Sequence, residues 1–209
     1  MLMTQPTVPG RIFIISAASG TGKTTLVSRL LNTTGQNLRL SVSHTTRPPR
    51  AGEEHGRHYY FVSVPQFEQA LAEGAFLEHA RVYGNYYGTS VAGVTQLQQQ
   101  GFDVILEIDI QGAEQVRRLL PEATSIFILP PSLRALSERL NQRGTDTAEV
   151  IATRMNNARH EIEQAYLFDY LVVNDDVVRA TQDLIHIIHA QRLRQQQQAP
   201  FLTGLLSAQ

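Results

Sequence analysis

The sequence predicts an α/β fold, a mostly parallel sheet flanked by helices with a smaller mixed subdomain inserted into it. Three observations carry this. Short β-branched apolar runs alternate with helical patterns, a glycine-rich loop joins the first run to the first helix, and residues 38–93 break the alternation. Alternating strands and helices pack as parallel strands joined by right-handed crossovers.

The first run, Arg11–Ser16, suits a buried strand, and a helix follows from about Lys23 to Asn32. Residues 38–93 carry extended stretches at Leu38–Ser43, His58–Val62 and Phe76–Tyr83, a helix near Pro65–Glu73, and many aromatics. Strands resume at Phe102–Ile110, Thr124–Leu129 and Tyr170–Val173. Helical patterns lie near Gly112–Leu120, Ser132–Asn141, Glu149–Leu167 and Val177–Arg194, and Asp146 with Glu149 forms a capping-box variant. Asn141–Thr147 is polar, contains a glycine and reads as a mobile flap, while Gln195–Gln198 reads as a fraying helix end or tail. The expected organisation is one domain: core 10–37 and 94–195, insertion 38–93, lid about 139–154, tail 196–209.

Composition narrows the function. Among 209 residues, 18 basic and 19 acidic side chains leave a net charge of -1, which argues against a general nucleic-acid binder. Without cysteine there is no disulfide framework and no Cys-based metal site. No apolar run approaches the ~20 residues that cross a bilayer. Met1–Gly10 lacks the pattern of a signal peptide, so a soluble cytoplasmic protein is expected. The seven histidines form no convincing ligand set and suit surface or packing roles.

Lys23 is the only lysine; every other basic side chain is an arginine. It lies in Ala17-Ala18-Ser19-Gly20-Thr21-Gly22-Lys23-Thr24, close to a Walker A loop, with Ala17 where that motif has its first glycine. Gly20 and Gly22 allow positive φ and close approach of N–H groups to phosphate oxygens. The helix N-terminus adds partial positive charge, Lys23 reaches the β- and γ-phosphates of ATP, and Thr24 would ligate Mg²⁺.

In Asp103-Val104-Ile105-Leu106-Glu107-Ile108-Asp109, Glu107 and Asp109 fall on one strand face and Val104, Leu106 and Ile108 on the other. Acids at the C-terminal end of such a strand sit where open α/β sheets bind ligands, which makes Asp109 a candidate for the Mg²⁺ shell. A pair of solvated acids is the plainer alternative.

The insertion holds a third constellation. Arg47 and Arg50, separated by two prolines, suit a bidentate phosphate clamp, and Tyr59 and Tyr87 offer phenolic donors. Glu78 as an ionised acceptor, with the hydroxyls of Ser43 and Thr89, complements the N1–H, N2–H₂ and O6 of guanine. Singly, each residue also suits a surface arginine, a core tyrosine or a cap.

In order along the chain, Ser16–Thr25, Ser41–Arg47, Gly52-Glu53 with Gly56 and Tyr59, Phe76-Leu77-Glu78, Gly84–Thr89, Ile108–Gly112, Ile126–Pro131, Arg143-Gly144 and Val173–Asp176 resemble the guanylate kinases of bacteria over essentially the whole length. The resemblance implies a P-loop NTPase core with a GMP-binding insertion and a short lid, and ATP:GMP phosphoryl transfer with Mg²⁺. It places Ser43, Glu78 and Thr89 on the guanine, and Arg47, Arg50, Tyr59 and Tyr87, in the stretch that includes Gly88, on the GMP phosphate. Arg139, Arg143 and Arg154 match the arginines that close on ATP, and Asn174 lies where the family holds adenine. Glu107, counted with the GMP-binding residues, is a departure: the family usually has Asp there, and the extra methylene changes the reach of the carboxylate to the base or Mg²⁺. Two other readings share parts of the pattern: a binding module that reuses the fold without the ATP loop, and a kinase for a phosphorylated sugar, which would not need Ser43, Glu78 and Thr89 together.

Overall fold

The computed structural model describes residues 9–33, 37–82, 84–141 and 148–207, with the side chains of 148–151 left aside. Among these residues two sheets organise the chain. The larger has five parallel strands, β1 (Ile12–Ala17), β2 (Leu38–Leu40), β7 (Asp103–Glu107), β8 (Thr124–Leu129) and β9 (Tyr170–Val173), in the order β2-β7-β1-β8-β9. The smaller contains β3 (His44–Thr45), β4 (Tyr60–Phe61), β5 (Phe76–Val82) and β6 (Asn85–Ser90), in the order β4-β3-β6-β5 and mixed in direction.

The core strands are apolar on both sides because both faces are covered. On one face Phe13, Ile15, Ile105, Ile126 and Ile128 pack against α1 (Lys23–Leu31) and α7 (Val177–Arg192). On the other, Ile12, Ile14, Val104 and Leu106 meet α3 (Val91–Gln99) and α4 (Ile110–Leu119). A third cluster joins Leu136 and Leu140 of α5 (Leu133–Asn141) to Ala158 of α6 (Ala148–Glu163) and to Ala18. The insertion carries α2 (Val64–Ala72), started by a capping box between Ser63 and Gln66. No described helix is long and apolar enough to cross a membrane.

Four expectations change. Leu38–Ser43 is not one strand of the insertion: Leu38–Leu40 pairs with β7 in the core sheet, and the chain crosses to the second sheet before His44. The strand expected over Phe102–Ile110 stops at Glu107, because Asp109 turns the chain into α4 as its N-cap. The helix expected to Leu167 ends at Glu163 and tightens into a 3₁₀ turn, Gln164–Leu167. The tail is a helix, α8 (Gln195–Ser207), with Pro200 inside it. Most of the expected flap, residues 142–147, and the capping acid Asp146 lie outside the described residues.

Candidate active site

The phosphate loop links β1 to α1. Gly20 and Gly22 have φ of 88° and 96°, a left-handed conformation that side chains disfavour. A Cβ on Gly20 would also stand 2.8 Å from Leu140, and one on Gly22 would stand 2.7 Å from the Asn174 amide nitrogen. That amide donates to the Thr21 carbonyl at 2.7 Å. Arg139 adds a bond to the same carbonyl at 3.1 Å and one to the Asn174 carbonyl at 3.0 Å. Thr21 is buried, with its hydroxyl on the Ala18 carbonyl. The loop is thus braced from behind.

The Lys23 ammonium donates to the Ile108 carbonyl at 2.9 Å, where β7 gives way to α4. Burial pushes its pKa down, opposed by the charges of Glu107 and Asp109. One residue on, the Thr24 hydroxyl donates to Glu107 Oε1 at 2.5 Å. Asp109 Oδ1 accepts the Gly112 N–H at 2.9 Å and so caps α4. Residues from Ala17 to Thr25 line a cleft of about 520 Å³ together with Asp109, Arg81, Asn157 and Glu161.

Helix α4 carries the site across to the insertion. One turn into it, Gly112 lies against the Glu78 carboxylate of β5, and the Gln115 side chain bonds both the N–H and the carbonyl of His79. Glu78 is 4% exposed and accepts the Thr89 hydroxyl at 2.5 Å. The Ser43 and Thr89 hydroxyls are 3.4 Å apart. Burial raises the Glu78 pKa to about 7, against the pull of the Thr89 hydrogen bond. Gly88 is tight for a different reason: a Cβ there would press on Phe67 and Phe76 at 3.0 Å.

A basic corner lies in the same small sheet. Arg47 bonds Glu53 Oε1 at 2.8 Å and lies 5.5 Å from the Tyr59 ring centroid, and Tyr59 meets Tyr87 edge-on at 5.9 Å. Glu53 Oε2 accepts the Arg50 N–H at 2.7 Å, and these bonds hold the Glu53 carboxyl at about 2. One carboxylate therefore holds the Arg47 side chain and the Arg50 backbone.

Known proteins of similar sequence and structure show the family. The guanylate kinase family model matches residues 9–191. A guanylate kinase of Neisseria meningitidis serogroup A is 64% identical over 197 residues, covering 94% of this chain and 96% of its own. The chain belongs to the guanylate kinase family. A guanylate kinase of Thiobacillus denitrificans is 54% identical over 196 residues, covering 94% of this chain and 93% of its own. The crystal structure of guanylate kinase from Anaplasma phagocytophilum superposes with a TM-score of 0.75 at 31% identity, covering 90% of this chain and 89% of that one. Guanylate kinases are ATP:GMP phosphotransferases, and the chain is an enzyme of that class.

Of the residues expected to serve this family's reaction, most fall into three groups. Ser43, Glu78 and Thr89 come together, as do Arg47, Tyr59 and Tyr87, with Arg50 tied to the second group through Glu53. Lys23, Thr24, Glu107 and Asp109 converge at the mouth of the loop. Arg139 and Asn174 brace the loop, Arg154 lies half-buried on α6, and Arg143 lies outside the described residues. Glu161 and Arg81 were not singled out by sequence reasoning, although both line the cleft. Neither carries a local signal, being ordinary charged positions on a helix and a strand.

Proposed function

We propose that this chain transfers the γ-phosphoryl of ATP to GMP, and to dGMP, with the guanine read by Ser43, Glu78 and Thr89 and the acceptor phosphate held by Arg47, Arg50, Tyr59 and Tyr87. The observation that carries the reading is the buried Glu78–Thr89 pair, joined by one helix, α4, to the carbonyl that holds Lys23. A buried carboxylate beside two hydroxyls pairs with guanine N1–H, N2–H₂ and O6. Adenine would leave those groups unpaired, and such mismatches discriminate by ~10⁴-fold or more.

The attacking oxygen of a phosphate monoester is already anionic near neutral pH, so no general base is required. The residues align the acceptor and neutralise charge. Lys23 draws on the β- and γ-phosphates, and the backbone N–H groups of Gly20 to Thr24 cradle them. Arg139 braces the loop that holds the phosphates, and Arg143 and Arg154 close on ATP, which excludes water. Thr24 and Glu107 present oxygen donors that suit Mg²⁺, and Asp109 stands by them at the cleft; these residues would hold the ion. When bound, Mg²⁺ neutralises charge on the β- and γ-phosphates. The cytoplasm, where ATP and GMP meet, is the expected setting.

A coupled ADP-release assay with Mg·ATP against GMP, dGMP, AMP, CMP, UMP and no acceptor tests the reading. Turnover with GMP and dGMP and little with AMP is expected. ATP binding without any nucleotide acceptor would move the assignment to a sugar-phosphate kinase, and no ATP binding would move it to a binding module.

A further inference from the structure

Among the described residues, and outside the groups assigned to the reaction, one carboxylate reaches the phosphate loop. Glu161 Oε2, on α6, accepts the Ser19 N–H at 3.0 Å. Glu161 is half-buried, and Ala158 of the same helix is fully buried against the cluster that contains Ala18. Two consecutive loop residues, Ala18 and Ser19, are therefore engaged by one helix, through packing and through a charged hydrogen bond. The same helix carries Arg154. Positions 154, 157 and 161 are spaced i, i+3, i+7, which puts them along one face, about 10 Å from first to last. Asn157 and Glu161 both line the cleft.

We propose that Glu161 is a positioning residue that latches α6 to the phosphate loop, so that the loop's N–H array and the approach of Arg154 are set by one contact. The inference rests on the reading of this loop as the ATP site. The physical case is that Ser19, two residues before the braced Thr21, bonds a carboxylate from 142 residues away in sequence. A backbone N–H bonded to a charged acceptor is held more firmly than one bonded to a neutral group. Freed of it, the Ser19 N–H would lose a charged acceptor, and α6 would lose a polar fastening on the loop backbone.

Two conservative variants of the full chain separate reach from charge. Glu161→Asp keeps the charge and withdraws the carboxylate by one methylene; Glu161→Gln keeps an acceptor oxygen at the same length. The first readout is amide hydrogen exchange at Ser19 in the nucleotide-free protein, by NMR, which does not depend on turnover. The second is the affinity for ATP and for GMP, by calorimetry. Expected is a roughly tenfold faster Ser19 exchange and roughly tenfold weaker ATP binding for the Asp variant, with GMP affinity unchanged and the Gln variant less affected than Asp. Unchanged Ser19 exchange in Glu161→Asp overturns the latch. A larger loss in Gln than in Asp also overturns it, because the charge acting at a distance, and not the reach of the carboxylate to Ser19, would then set the affinity. Tighter ATP binding in Glu161→Gln overturns it too, since Glu161 would then be a competitor for the phosphate space. Wild-type protein that fails to bind ATP at all sinks the site reading instead, while the exchange comparison still decides the contact.

Discussion

A Cβ placed on Gly112 would stand 2.4 Å from Glu78 Oε2, closer than any carbon and oxygen can pack. Alanine is normally favoured over glycine inside a helix by about 1 kcal/mol. Here the steric conflict falls on a carboxylate that is itself buried and bonded to Thr89. Gly112→Ala is expected to push Glu78 off its position, raising KM for GMP by about tenfold or more while ATP affinity stays within about twofold. Steady-state kinetics with each substrate varied in turn checks this.

The carboxyl of Glu78, raised to about 7, sets a pH dependence of defined sign. Between its ordinary value near 4.5 and about 7, the folded chain holds a proton that the unfolded chain releases. This group's contribution to stability therefore falls as pH rises through that window and is fully lost above it, a loss of roughly 3 kcal/mol. GMP reverses the preference, because guanine donors need the ionised acceptor. Below pH 7 the affinity for GMP is expected to fall by about tenfold per pH unit, and binding at pH 6.5 to release a proton. Calorimetry in buffers of different ionisation heat measures this, with Glu78→Gln as the control that removes the component due to Glu78 from that of the GMP phosphate.

Glu53 supplies the contrast. Held at about 2 by Arg47 and the Arg50 N–H, it stays ionised throughout the working range. Its contribution is present above about 4.5 and lost only as pH falls toward 2. Glu53→Gln is expected to raise KM for GMP several-fold with the same pH profile as wild type. A profile that changed shape would show that Glu53 titrates with the substrate.

The 2.5 Å bond from Thr24 to Glu107 divides two roles for the acid. Partners that orient a metal ligand typically change metal affinity by about 10–100-fold when removed. Glu107→Ala is expected to raise the Mg²⁺ concentration for half-maximal activity by about tenfold, leaving KM for GMP nearly unchanged. The reverse pattern, read from a Mg²⁺ titration at fixed ATP, would assign Glu107 to the base.

How far the molecule could be read from its residues depended on the range of the forces involved. Ile12–Ile15 and Ile126–Ile128 announce buried strands because both sides of each are apolar. The loop at Gly20–Thr24 is legible because phosphate binding needs those residue types in that order. By contrast, Val91–Gln99 was not read as a helix, since Gly93 and two valines dilute its pattern and only the Ser90 cap marks its start. Leu38–Ser43 looked like one strand because alternation cannot say which sheet a residue joins. Glu107 and Asp109 both lie close enough to Lys23 to act on its charge, yet Asp109 caps a helix and does not extend the strand. Glu161 was invisible: its meaning comes entirely from Ser19, far away in sequence.

With lysine present once, at position 23, the side-chain amines of this protein amount to a single chemical handle. An amine-selective reagent, such as an acylating agent, acts on neutral amine, which the lowered Lys23 pKa favours, while the bond to Ile108 and the narrow cleft hold it back. Each side-chain adduct counted by mass spectrometry therefore reports one event in one cleft. Protection of that adduct by ATP would turn the labelling rate of the intact protein into a direct gauge of nucleotide occupancy, without any engineered probe.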